Sequence, residues 1–258
     1  MGKVMLFQLP AADTDKLADF YSQTFGWTKS GLMGIPGIVA LHSGSYDKAG
    51  LNGVIMDKKL LDYTVNIIEV DNIDETLLKL QDKGGKVTTP RHDIPAMGAF
   101  AWCLDNDGNQ IVLMQRDAAY LQTMTALMPG GTPEVGIVNR PCHFELPASN
   151  PVQLADFYTE VFGWRVQKWE SEIPYYFLIS DEFPAAGIDG AIQQREEGLY
   201  PLNVIAVLDL DAKLAEVSAN GGSIKSPKTR VPNVGMFAYC LDPDGNQFGL
   251  MQFDKLDW

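Results

Sequence analysis

The chain is short of the residues on which most metal and redox chemistry depends. Its 258 residues include three cysteines and three histidines, and no two cysteines form a Cys-x-x-Cys pair. Zinc-ribbon and thioredoxin-like sites are thereby excluded. Cys103 and Cys240 fall in apolar, strand-like segments, and with Cys142 they read as buried free thiols. Positive charge is also scarce, since 20 Lys and Arg face 33 Asp and Glu for a net charge of -13. No basic cluster interleaved with aromatics is present to neutralise phosphates, which argues against nucleic acid and anionic membrane as partners. The acidic residues scatter over helix faces and turns, where they serve solubility. No apolar run reaches membrane-spanning length, and Met1-Gly2-Lys3-Val4-Met5-Leu6-Phe7 enters a strand pattern without a basic-then-apolar leader. The expected location is cytoplasmic. A hydrophobic fraction of 46% with 21% charged residues fits a globular chain with enough length for two ordinary cores.

What the chain does contain is a copy of itself. Residues about 4–115 recur as residues about 141–252, at an offset of 141 − 4 = 137 positions with no gap. Identical residues occupy 12 of 24 positions between 4–27 and 141–164, and 14 of 22 between 94–115 and 231–252. The duplication predicts one domain over residues 1–116 and another over 141–258. The linker between them, 117–140, contains Pro129-Gly130-Gly131-Thr132-Pro133. Because every loop has kept its length, the halves are expected to pair about a near two-fold axis, as an internal pseudo-dimer. The whole is then a monomer or a weak homo-oligomer.

Each repeat opens with a strand (Met5 to Leu9; Cys142 to Leu146), then Pro10 or Pro147, then a helix capped by Asp13 or Asn150. Leu17, Phe20, Tyr21 and Phe25, matched by Leu154, Phe157, Tyr158 and Phe162, form the apolar stripe that packs on a sheet. Gly26 and Gly163 end these helices. A second unit follows in each half, with strands at Val65–Val70 and Leu202–Val207 and acidic helix starts at Asp71 and Asp209. Its helices carry Ile73, Leu77, Leu80 and Leu210, Leu214, Val217, and Gly84-Gly85 and Gly221-Gly222 close them. Short β-rich stretches such as Ile38–His42, Gly53–Met56, Ala99–Leu104 and Gln110–Gln115 complete the pattern. The prediction is an α+β fold of four βαβββ modules, two per domain.

The order of these signals carries a family resemblance. Phe-Tyr precedes Phe-Gly-Trp, then come Gly-Gly-x-(Val/Ile) and Asp-(Asn/Pro)-Asp-Gly-Asn-Gln before an apolar strand. Seen twice, this resembles the vicinal oxygen chelate superfamily, the glyoxalase, bleomycin-resistance and extradiol-dioxygenase group. Ile94-Pro95-Ala96-Met97-Gly98 and Val231-Pro232-Asn233-Val234-Gly235 are most similar to its two-domain glyoxalase-like branch, often labelled hydroxylase. The resemblance implies that each pair of modules curls into a cup of curved mixed sheet. It also implies a divalent metal held by the first, fourth, fifth and eighth strands, which chelates vicinal oxygens of a substrate. Carried onto this chain, the first-strand position is Leu6 in one half and His143 in the other. The fifth-strand position is Val65 or Leu202, and the eighth-strand position Val112 or Gly249. The fourth-strand region, Gly53–Met56 or Gly190–Gln193, has no His, Asp or Glu. A lone imidazole does not hold a catalytic metal, so the expectation is no cofactor and no divalent metal. His42 and His92 read as ordinary strand or surface residues.

Strand alternation puts His143 and Glu145 on one face, which the resemblance places inside the second cup. They are the catalytic candidates, as a general base or polar anchor, and a purely structural hydrogen-bonded pair remains the alternative. Candidate ligand-binding residues are Gln8, Gln110, Met114, Gln247, Gly249 and Met251, with Gly249 leaving room beside His143. Trp27, Trp102, Trp164 and Tyr239 are read as core residues. Three functions stay open. One is a metal-independent protein that binds a small, partly apolar molecule, as drug-sequestering members of the family do. The second is a glyoxalase-, dioxygenase- or hydroxylase-like enzyme using His143 and Glu145. The third is a structural module with vestigial cups.

Overall fold

Two strand–helix–three-strand units build the first half in the computed structural model, which describes residues 2–32, 35–46, 48–126, 136–170, 174–180 and 187–255. The first unit is β1 (Lys3–Ala11), α1 (Thr14–Phe25), β2 (Thr28–Gly31), β3 (Val39–His42) and β4 (Asn52–Asp57). The next is β5 (Val65–Glu69), α2 (Ile73–Asp82), β6 (Lys86–Ile94), β7 (Gly98–Leu104) and β8 (Gln110–Arg116). After α3 (Tyr120–Ala126) the pattern repeats as β9 (Pro141–Ala148), α4 (Pro151–Phe162), β10 (Arg165–Lys168), β11 (Tyr175–Ile179) and β12 (Asp189–Gln194). The last unit is β13 (Leu202–Ala206), α5 (Leu210–Ala219), β14 (Ser223–Ile224), β15 (Thr229–Val231), β16 (Gly235–Leu241) and β17 (Gln247–Phe253). Each half has its own curved mixed sheet, ordered β2-β3-β4-β1-β5-β8-β7-β6 and β10-β11-β12-β9-β13-β17-β16-β14, with β15 also paired to β16. The predicted α+β arrangement of paired modules is the one observed.

Local chemistry explains the element boundaries. The carboxylate of Asp13 accepts from the Lys16 amide and the Asn150 side chain from Gln153, each satisfying a free donor at a helix start. Gly26 and Gly163 end the helices with φ of 75° and 74°, a left-handed geometry that a side chain would strain. One expectation shifts by a residue. Asn72, not Asp71, caps α2, because the last extended residue before the helix is the one whose side chain reaches the Asp74 and Glu75 amides. The second sheet counts nine strands where eight were anticipated, because the counterpart of β6 is interrupted. There the Ser226 hydroxyl accepts from the Tyr239 amide at 2.9 Å in place of a ladder bond.

The two faces of each sheet have different fates. Residues pointing towards the helices, such as Phe7, Leu9, Ile55 and Leu113 from one half and Phe144, Leu146, Ile192 and Leu250 from the other, merge with the helices into a single apolar core. Phe20, Tyr21 and Phe25 of α1 all meet the ring of Phe248 in the opposite half. Polar contacts across this core come in exchanged pairs. Tyr21 donates to Asp242 at 3.0 Å and Tyr158 to Asp105 at 3.2 Å. Asn246 donates to the Pro10 carbonyl at 2.9 Å and Asn109 to that of Pro147 at 3.2 Å. Reciprocal contacts of this kind are what a two-fold relation between like surfaces produces. The repeated Asp-x-Asp-Gly-Asn turn therefore does more than reverse the chain.

The opposite, concave face of the first sheet is filled. Leu6, Val54, Met56, Ile67, Val112 and Met114 project into it and are buried together. Helix α3, in the stretch expected to be only a linker, closes it with Tyr120 and Met124, which are 3% and 1% exposed. The Pro129–Pro133 segment lies outside the described residues. No helix among the described residues is long and apolar enough to cross a membrane.

Candidate ligand site in the second half

The concave face of the second sheet is hollow. It encloses a cavity of about 640 Å³ bordered by residues of β9, β11, β12, β13, β16 and β17, with Ala49 and Gly50 of the first half at its margin. At corresponding positions the first cup has Leu6, Ile38, Ala40, Met56 and Trp102, whereas the second has His143, Tyr175, Phe177, Gln193 and Tyr239. The framework is shared and the wall chemistry is not.

Period-two alternation on β9 turns His143 and Glu145 to the same side, and both line the cavity. They do not touch directly. His143 Nε2 lies 3.0 Å from the Tyr175 hydroxyl, which in turn lies 3.1 Å from Glu145 Oε1. Glu145 Oε2 accepts from the Tyr239 hydroxyl at 2.9 Å and from Gln193 Nε2 at 2.8 Å. The same Gln193 nitrogen lies 3.3 Å from the Tyr239 oxygen. Glu145 is 6% exposed, so its carboxyl depends on these donors in place of water.

Burial dominates the titration of this cluster. It pushes His143 down to about 4, against the opposing pull of the Asp189 carboxylate, so the imidazole is neutral at pH 7. It pushes Glu145 up, while hydrogen bonds from Tyr239, Tyr175 and Gln193 favour the ionised form. Cys142 also lines the cavity, and burial pushes its thiol up to about 12, which keeps it protonated and unreactive.

The residues present do not fit the divalent metal that the resemblance would bring. Leu6, Val65 and Val112 are packed in the first cup's apolar cluster. In the second half Leu202 and Gly249 offer no donor, and the Glu145 carboxyl is engaged by three side chains. Among the described residues no group of three or more His, Cys, Asp or Glu could hold a metal ion.

The other candidates separate. Met251 lines the cavity. Gln8 and Met114 are buried in the first half, where Met114 belongs to the filled cup. The Gln110 backbone N–H donates to the Tyr63 hydroxyl oxygen at 3.0 Å, and the Gln247 side chain donates to the Gly198 carbonyl. Gly249 does not leave open room beside His143, because the Phe237 ring lies 2.7 Å from where its Cβ would stand. Trp27 and Trp164 are core residues as expected, but Tyr239 belongs to the cavity. His42 is a strand residue with no exposure at all, held by Ser30 and Tyr46. Sequence reasoning missed Tyr175, Phe177, Gln193 and Phe237. The signal available for the first three was the contrast between the two copies, since each replaces an aliphatic or thioether residue of the first half.

The same architecture occurs in solved structures. An Mn(II)-bound glyoxalase from Novosphingobium aromaticivorans superposes with a TM-score of 0.66 at 16% identity, over 99% of this chain and 86% of that one. The 2,3-dioxygenase LapB from Pseudomonas sp. KL28 gives 0.65 at 15%, over 100% and 94%. At these identities the likeness establishes the fold. In sequence, the chain is 25% identical over 256 residues to the provisionally named glyoxylase CFP32 of Mycobacterium bovis, covering 95% of this chain and 92% of the relative. A glyoxylase-like domain-containing protein of Didymella fabae is 28% identical over 111 residues, covering 40% of this chain and 84% of that protein. Residues 140–250 match the family model of the Glyoxalase/Bleomycin resistance protein/Dioxygenase superfamily. Residues 140–250 thus carry the match to that superfamily, and the first half repeats their module order and sheet topology.

Proposed function

We propose that this protein binds a small, partly apolar molecule in the cup of its second half, without a metal. The observation that carries this is a hollow aromatic cup whose one buried carboxyl is held by Tyr175, Tyr239 and Gln193. A cavity of about 640 Å³ is of the size that takes small ligands, and a few polar groups in an apolar wall are what orient them. His143 and Glu145 are the polar anchor, and Met251 contributes apolar wall. The partner is a small molecule, and the filled first cup serves as structure.

The test begins with native mass spectrometry and a thermal-shift screen to find a ligand, followed by calorimetry on variants. His143→Ala is expected to weaken binding by about twofold to tenfold, because it removes the hydrogen bond that holds Tyr175 beside Glu145, worth about 0.5–1.5 kcal/mol. Leu6→Ala should leave affinity unchanged, and a chelator should alter neither binding nor melting temperature. Equal losses in the two variants, or chelator-sensitive binding, would count against the proposal.

A second reading, acid–base catalysis, draws on the relay from imidazole through phenol to carboxyl and on the names of the relatives, which include glyoxylases and dioxygenases. Turnover of a substrate that is lost with His143→Ala would favour it over simple binding.

A further inference from the structure

We infer, building on the binding function proposed above, that the occupant of the second cup is an aromatic molecule whose polar end is a hydrogen-bond donor, uncharged or positively charged, and not a carboxylate or phosphate. The argument starts from an inventory of polar hydrogens. With Glu145 ionised, the protons of Tyr175 and Tyr239 both go to its carboxylate. One Gln193 N–H goes there too, with the Tyr239 oxygen 3.3 Å from the same nitrogen, and His143 Nε2–H is left for the Tyr175 oxygen. With Glu145 protonated, its proton goes to Tyr175, Tyr175 gives its own to His143, and the remaining ring N–H meets the Asp189 backbone. In either arrangement the protons of Tyr175, Tyr239 and His143 are spent inside the network. What the carboxyl at the centre of the network offers a ligand is lone-pair capacity, since it has about four acceptor positions and three are used. The Ser226 and Thr229 hydroxyls on the wall both donate to the Pro227 carbonyl.

Charge points the same way. All 20 Lys and Arg lie in the described residues, and none of them lines the cavity, whereas Glu145 and Asp189 both do. An anion entering this site would lose its water with no cation to replace it, and would face a second negative charge whenever Glu145 is ionised. The apolar wall adds a preference of its own. Trp169, Tyr175, Phe177, Phe237, Tyr239 and Phe253 surround the space. Trp169 and Tyr175 meet at 72°, Tyr175 and Phe177 at 79°, and Phe237 and Tyr239 at 87°, so ring faces and edges are both presented. Such a box stacks a flat ring, and the negative ring faces tolerate a cation and repel an anion.

The experiment titrates the full chain at neutral pH with matched probes, read by calorimetry and by Trp fluorescence. The donors are 2-naphthol and tryptamine, the anions are 2-naphthoate and indole-3-acetate, and naphthalene is the ring alone. Donor probes are expected to bind at least tenfold tighter than the carboxylate on the same ring and tighter than naphthalene. Glu145→Gln, which turns part of the acceptor into a donor, should erase that preference. The wild-type comparison stands without any variant having to fold. Carboxylates binding as tightly as donors, or naphthalene matching 2-naphthol, would overturn this inference and leave the binding function standing. If no probe binds, naphthalene included, both fall.

Discussion

At the scale of single residues, duplicated positions show how environment sets the role of a group. Asn52 and Asp189 hold equivalent places, and each accepts from the serine at the end of the neighbouring strand, Ser43 at 2.7 Å and Ser180 at 2.9 Å through its amide. The frame tolerates either an amide or a carboxylate there. Buried titratable groups have larger effects, and two of them act in opposite directions. Burial moves His42 from 6.5 to about 4, so between those values the unfolded chain takes up a proton that the native ring refuses. That group therefore adds stability as pH rises from about 4 to 6.5. Asp242 is moved from 3.8 to about 6 by burial, so its native carboxyl keeps a proton that the unfolded chain releases. The stability it lends is present below 3.8 and is lost as pH rises to about 6. Urea unfolding at pH 4.5 and 7 should show the advantage of wild type over His42→Gln growing by about 2 kcal/mol with pH. The advantage over Asp242→Asn should shrink. Gaps that do not move with pH, or that move together, would show that these groups are not desolvated as described.

Among the elements, α3 is the one whose importance is out of proportion to its length. Its seven residues lie outside both sheets, yet Tyr120 and Met124 complete the packing of the first cup around Leu6, Met56, Phe100 and Met114. Removing a fully buried side chain costs its transfer energy and the cavity left behind, so Met124→Ala should lower stability by about 2–4 kcal/mol in denaturant titrations. A change under about 0.5 kcal/mol would mean that the helix merely rests on the cup. This element was not legible in the sequence, because seven residues carry too few turns for an apolar stripe to stand out. By contrast α1 and α4 were legible in full, since a capping residue, a repeated stripe and a terminating glycine all agree. The interrupted strand β14–β15 was not. Its break rests on the Ser226 hydroxyl taking a backbone donor from a strand distant in sequence, which no local pattern announces.

For the molecule as a whole, the apolar core belongs to neither half. Residues of both sheets and of α1, α2, α4 and α5 contribute to it, and the tyrosine–aspartate pairs Tyr21–Asp242 and Tyr158–Asp105 cross it in both directions. Unfolding is therefore expected as one transition in calorimetry, with matching calorimetric and van't Hoff enthalpies. Tyr21→Phe, which leaves a buried aspartate short of a donor, should lower stability by about 1–3 kcal/mol without splitting that transition. Two resolved transitions would show that the halves are energetically independent. The sequence by itself determined the duplication, the module order, the caps of α1 and α4 and the face shared by His143 and Glu145, because each is expressed over a short stretch of chain or in the comparison of two copies. Only the tertiary structure decided which cup is filled and which is hollow, and which groups meet in it. Glu145, Tyr175, Gln193 and Tyr239 come from four strands, and their meeting follows from sheet order and curvature. The donors that hold Glu145 lie 30 to 94 positions away along the chain, beyond any pattern that local spacing can carry.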